Sequence, residues 1–125
     1  MCVAPPDRRN PKKDAKMTPR KQMTEEAFDA VAQRFRVLSD PMRLKLLYSI
    51  GSGELSVNEL VEKTGGTQSN VSKHLSTLLT HGLVQRRRQG TSAFYSITDS
   101  GIFNLCDMVC GGIDRHLQSR RDAFQ

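Results

Sequence analysis

Residues Ser56–Thr80 read SVNELVEKTGGTQSNVSKHLSTLLT, and their capping, apolar and glycine positions spell two short helices divided by a tight turn. Ser56 and Glu59 stand in the capping-box relation, where each side chain accepts from the other residue's backbone amide. Val57, Leu60 and Val61 then face inward, and Thr64-Gly65-Gly66 ends the helix. Thr67 is placed to cap a second helix from Gln68 to about Thr80. Its Val71, Leu75, Leu78 and Leu79 recur at i, i+4, i+7 and i+8, a single inward stripe. Gln68, Ser69, Asn70, Ser72, Lys73, Ser76 and Thr77 are left facing outward.

Beyond this pair, Leu83–Arg88 and Ser92–Ile97 are short strand-like segments joined by Gln89-Gly90-Thr91, a hairpin with Gly90 at its tip. Alternation along a strand puts Arg86 and Arg88 on one side and Arg87 on the other. Thr98 or Asp99 caps a last helix to about Arg120, with Ile102, Leu105, Cys106, Val109, Cys110, Ile113 and Leu117 on one side. The pair Gly111-Gly112 predicts a bend there or close packing against the backbone.

Toward the N-terminus, Asp40 caps a helix whose first residue, Pro41, has no amide hydrogen to leave unpaired. Leu44, Leu47, Tyr48 and Ile50 mark its length, and Gly51-Ser52-Gly53 stops it. A preceding helix opens at Thr18-Pro19 or at Thr24, before Glu25 and Glu26. It carries Ala27, Phe28, Val31, Ala32 and Phe35 at helical spacing through Arg36. Residues 1–17 set Pro5, Pro6 and Pro11 among charges and read as a disordered basic tail, leaving 18–125 as the folded domain. The fold class expected is mainly α with a small β-hairpin, a winged helix-turn-helix.

Composition narrows the function. The net charge is +6 and the isoelectric point 9.6, which favours a polyanionic partner. Most of the excess lies in residues 1–23, where seven Lys and Arg stand against Asp7 and Asp14. Arg86, Arg87 and Arg88 form a smaller, sharper cluster. No apolar run is long enough for a membrane span, and the first residues do not form a signal peptide, so a cytoplasmic protein with no membrane partner is expected. No Cys–His or Ser–His–Asp constellation, glycine-rich phosphate loop or HExxH motif points to an enzyme. The polar face of the second helix suits DNA instead. Gln and Asn pair with adenine, Lys73 takes a phosphate or a guanine edge, and Ser and Thr take phosphates. Arginines on a projecting hairpin reach the backbone or the adjacent minor groove. A nonspecific DNA-packing protein tolerates the basic tail but has no need of this polar face.

Leu38-Ser39-Asp40-Pro41-Met42-Arg43-Leu44-Lys45-Leu46-Leu47, Gln68–Leu78, and Gly82-Leu83-Val84 with the arginine strand and Gly90 closely resemble the ArsR/SmtB family of bacterial regulators. The resemblance covers about residues 25–118. It implies a homodimer formed through the first and last helices, bound to an inverted-repeat operator in double-stranded DNA. It also implies repression at rest and release by an inducer, with Gly90 and Thr91 at the wing tip near the DNA. His74 matches a family position near the helix–phosphate contact, and a packed structural histidine is the other reading of it. The family's thiol site has Ser56 and Asn58 where cysteines usually stand, so the resemblance implies that this site is absent. Asp107, Asp114 and His116 fall where a second family site uses Asp and His, but no later histidine completes its spacing.

Cys106 and Cys110 remain, four apart and on one face of the last helix. As soft thiolates they suit As(III), Sb(III) or a soft metal ion as inducer, with Cys2 from the tail as a third ligand. They also suit oxidation to disulfide or persulfide states that loosen DNA binding. As small hydrophobes they suit the core, in a repressor with no cysteine sensor.

Overall fold

Side-chain oxygens open each of the first four helices. In the computed structural model, which describes residues 22–123, Thr24 caps α1 (Glu25–Leu38) by accepting from the Ala27 amide at 3.1 Å. Asp40 caps α2 (Pro41–Ile50), its Oδ1 accepting from the amides of Met42 at 2.8 Å and Arg43 at 3.1 Å. The Ser56–Glu59 capping box opens α3 (Val57–Thr64) with both bonds made, at 3.3 and 3.1 Å. Thr67 caps α4 (Gln68–Thr80) through the Asn70 amide at 3.2 Å. The tail 1–17, its Cys2 and the alternative start at Thr18-Pro19 lie outside the described residues.

One further strand extends the hairpin read from sequence. The wing is β2 (Val84–Gln89) and β3 (Ser92–Ile97), but β3 also pairs antiparallel with β1 (Glu54–Ser56), giving a sheet of order β1-β3-β2. The small hairpin is thus two strands of a three-stranded sheet. The wing turn is Gly90-Thr91, with positive φ at Gly90 only (61°). That is the demand of a type II′ turn, whose twist suits the flanking strands. Gly65, at φ 73°, closes α3 in the left-handed conformation that a side chain disfavours.

The chain divides into two compact units, residues 23–100 and one that contains α5 (Gly101–Ala123). In the first unit, α2, α3 and α4 pack on one another, α4 against β2, and α1 against α2. Their core includes Leu46, Leu47, Ile50, Leu60, Val71, Leu75, Leu78, Leu83, Val84 and Tyr95. Tyr48, read as marking the length of α2, is exposed, and Leu46 fills that helix's inner face instead. The apolar stripe of α1 also faces solvent. Phe28, Val31 and Phe35 are 54, 44 and 51% exposed, while Val37 and Leu38 at its end are buried. In the second unit, α5 is one continuous helix through Gly111-Gly112, where Gly111 is buried, and exposes Met108, Val109, Ile113 and Leu117. Among the described residues no helix is long and apolar enough to cross a membrane.

The Asp40 cap makes a testable contribution to stability. Backbone amides, that of Arg43 foremost, hold its carboxyl below the usual carboxylate range. With the folded value lowered, the stabilisation is present above the unfolded pKa of about 4 and fades as pH falls through the lower folded value. Asp40→Ala is therefore expected to cost about 1 kcal/mol at neutral pH, and the deficit should shrink toward pH 3. Asp40→Asn keeps a capping oxygen and should remove most of the pH dependence. Urea denaturation at both pH values checks this.

Candidate nucleic-acid interface

The second helix of the helix-turn-helix is built with two unlike sides. Val71, Leu75 and Leu78 are completely buried, which fixes the helix against α2 and α3 and leaves the remaining side chains to define its outer surface. Gln68, Ser69, Asn70, Ser72, Lys73 and Ser76 are all exposed. Ser69, Ser72, Lys73 and Ser76 recur at i, i+3, i+4 and i+7, so they form one ridge along the helix. The helix contains no Asp or Glu, and its N-terminus brings unpaired amides and a partial positive charge to the same end as Gln68 and Ser69. Such a surface offers donors, acceptors and one cation to base edges and phosphates without an opposing carboxylate.

Two members of the expected set are turned inward. Thr77 is half-buried, and its hydroxyl donates to the Lys73 carbonyl at 3.3 Å. The His74 side chain is only 14% exposed. Its Nδ1 lies 3.2 Å from Arg43 Nη1, and its Nε2 lies 3.9 Å from Asp40 Oδ1. The packed reading of His74 is the one that its surroundings support.

The wing separates its three arginines as strand alternation requires. Arg86 and Arg88 share a face with Val84 and, through the register, with Tyr95 and Ala93. Both extend past the buried part of the sheet and are exposed, as are Gly90 and Thr91 at the tip. Arg87 stands on the opposite face and is held there. Its guanidinium donates to both carboxylate oxygens of Glu54 on β1, at 2.5 and 3.3 Å, and to Gln89 Oε1 at 2.9 Å. It also lies 5.0 Å above the centre of the Phe94 ring. The hydrogen bond to Arg87 pushes the Glu54 carboxyl below its ordinary range, and the same bond raises Arg87. The charge of Arg87 is therefore locally matched, whereas among the described residues no acidic side chain pairs with Arg86 or Arg88 within salt-bridge distance.

Neither Glu54 nor Arg43 is given a functional role by the sequence. Glu54 acquires its role only once β1 joins the sheet, because it lies 33 positions from Arg87. Arg43 reaches His74 across 31 positions. Neither pairing leaves a local signature.

On α5, Cys106 and Cys110 are both half-buried. Cys106 is a thiol and Cys110 is disulfide-bonded, so the two are not bridged to each other. Among the described residues no cluster of three or more His, Cys, Asp or Glu could hold a metal ion. Ser56, at one of the positions the family's thiol site uses, spends its hydroxyl on the capping box.

The profile of the bacterial regulatory protein arsR family matches residues 40–86, from the Asp40 cap into the first wing strand. The chain is 46% identical over 77 residues to a probable mercury resistance operon repressor of Streptomyces lividans, covering 62% of each. It is 36% identical over 85 residues to the biofilm growth-associated repressor of Xylella fastidiosa, covering 68% of this chain and 75% of that one. Its fold matches the homodimeric winged helix-turn-helix DNA-binding domain of a possible ArsR-family regulator from Mycobacterium bovis. That match has a TM-score of 0.67 and 28% identity over 82% of this chain and 94% of the other. Against several curated relatives the chain spans only 40 to 62% of their length.

Proposed function

Because the chain belongs to the arsR family of bacterial regulatory proteins, we propose that it is a sequence-specific transcriptional repressor, a cytoplasmic homodimer that grips an inverted-repeat operator. The observation that carries this reading is the two-sided α4, completely buried on one face and polar, exposed and free of carboxylates on the other. In this reading α4 enters the major groove and Gln68, Ser69, Asn70, Ser72, Lys73 and Ser76 meet bases and phosphates. Arg86 and Arg88, with Gly90 and Thr91 between the strands, meet the flanking backbone or minor groove. Arg87 braces the wing through Glu54 and takes no part in binding. The exposed stripes of α1 and α5 supply the apolar surface that a second copy covers, as the homodimeric state of the M. bovis domain suggests.

The experiment is a binding titration against duplex DNA from upstream of the protein's own coding sequence and against a scrambled duplex. The native chain should prefer the former by about a thousandfold or more. Equal affinity for both would leave a nonspecific DNA-packing protein. Lys73→Ala and Asn70→Ala should each weaken specific binding by about 1–3 kcal/mol. Arg86→Ala and Arg88→Ala should each lower the salt slope by about one, and Arg87→Ala should leave that slope unchanged.

For the inducer, the reading is a thiophilic ion, As(III), Sb(III) or a soft metal, acting at Cys106 and Cys110 on α5 once the Cys110 disulfide is reduced. The relative named for mercury resistance supports that chemistry. A third ligand then comes from a second copy or from outside the described residues, where Cys2 lies. Replacing Cys106 and Cys110 by Ser should leave a chain that binds DNA but ignores arsenite and antimonite. Release by a persulfide donor alone would assign the pair to redox sensing, and release that survives the replacement would remove the cysteines from the switch.

A further inference from the structure

Arg43 of α2 is the one side chain that bonds both the end of α1 and the middle of α4 among the hydrogen bonds described. Its Nε donates to the Val37 carbonyl at 2.6 Å and its Nη2 to the Arg36 carbonyl at 3.4 Å. These belong to the last turn of α1, where a cation is favoured, although the Arg36 carbonyl also accepts from the Ser39 amide at 3.2 Å and hydroxyl at 2.6 Å. Its remaining arm meets His74 Nδ1 at 3.2 Å. A guanidinium has donors only, so Nδ1 accepts and the ring carries its proton on Nε2, the atom turned toward Asp40. Asp40 in turn caps α2, the helix that carries Arg43. The chain of contacts therefore runs from the helix with the exposed apolar stripe, through a planar fork of fixed geometry, to the helix with the exposed polar ridge.

We infer that Arg43 and His74 are positioning residues for DNA recognition, tying α4 to the end of α1 so that the polar ridge takes its orientation from the first helix. The inference rests on the DNA-binding reading of α4. His74 does not touch DNA in this arrangement. It is the receiver on α4, next to Lys73 in sequence and turned away from the ridge that Lys73 shares. A lysine at position 43 keeps the charge but cannot span the two carbonyls and the ring at once.

The test uses the full chain and a preferred duplex that the native protein selects from a random-sequence library, with a scrambled duplex beside it. Arg43→Lys and His74→Leu should each weaken the selected duplex by about tenfold, and the double variant should be no worse than either single one. Affinity for the scrambled duplex and the salt slope should not change. His74→Asn, whose side-chain oxygen stands in for Nδ1 as acceptor, should stay within about threefold of native. A fall in scrambled-duplex affinity together with a salt slope reduced by about one would make these residues phosphate contacts and overturn the inference. So would unchanged affinity for the selected duplex in both single variants, or additive losses in the double. Circular dichroism verifies folding, and if His74→Leu does not fold, Arg43→Lys against His74→Asn carries the comparison. A native chain that selects no duplex at all sinks the DNA-binding reading itself.

Discussion

Leu75→Ala is expected to cost about 2–5 kcal/mol of folding stability. Leu75 is completely buried at the middle of α4, the helix that packs on α2, α3 and β2 together. Truncating it removes transfer energy and leaves a cavity that three elements would have to move to close. For a small domain stable by about 5–15 kcal/mol, that loss is a large part of the total. Urea denaturation should show a lower midpoint with an unchanged slope. The neighbouring Ser76 makes the control, because it is exposed on the ridge. Ser76→Ala should change stability by no more than about 0.5 kcal/mol while weakening specific DNA binding. A loss below about 1 kcal/mol at Leu75 would mean that α4 is not pinned by its buried face.

The second large effect is expected at Phe35. With Phe28 and Val31 it forms a stripe on α1 that the protomer leaves about half exposed, an area that a soluble monomer rarely leaves open. Phe35→Asp places a charge in that stripe without touching the core of the protomer. It should yield a species of the chain's own mass, 14.0 kDa, in sedimentation equilibrium, with helical circular dichroism retained. Affinity for the operator should fall by about 10²–10⁴, the advantage that two linked half-site contacts confer. A variant that still sediments as a dimer would move the interface away from α1.

The cap sites were legible in the sequence because capping is local. Thr24, Asp40, Ser56 with Glu59, and Thr67 each act on amides two or three positions away, and all of them open the helices expected of them. The buried stripe of α4 was legible for the same reason, since a period of 3.6 residues is a property of one segment. So was the wing tip, where a short loop needs positive φ and Gly90 provides it. Strand β1 was not, since three residues show no alternation and Glu54–Ser56 becomes a strand only by pairing with β3.

The α1 stripe shows the limit from the other side. Periodicity established that the helix has an apolar face, but not whether the protomer's core or a second chain covers it. The winged helix-turn-helix itself, its caps, its turn and the two-sided α4, was determined by the sequence alone, through interactions that span a turn of helix or less. Only the tertiary structure decided how the polar and charged side chains of α4 and the wing are engaged. It packed His74 against Arg43 and paired the still-exposed Arg87 with Glu54, partners 31 and 33 positions away. Pairings of that range depend on which surfaces the packed helices and sheet bring together, and no local pattern encodes them.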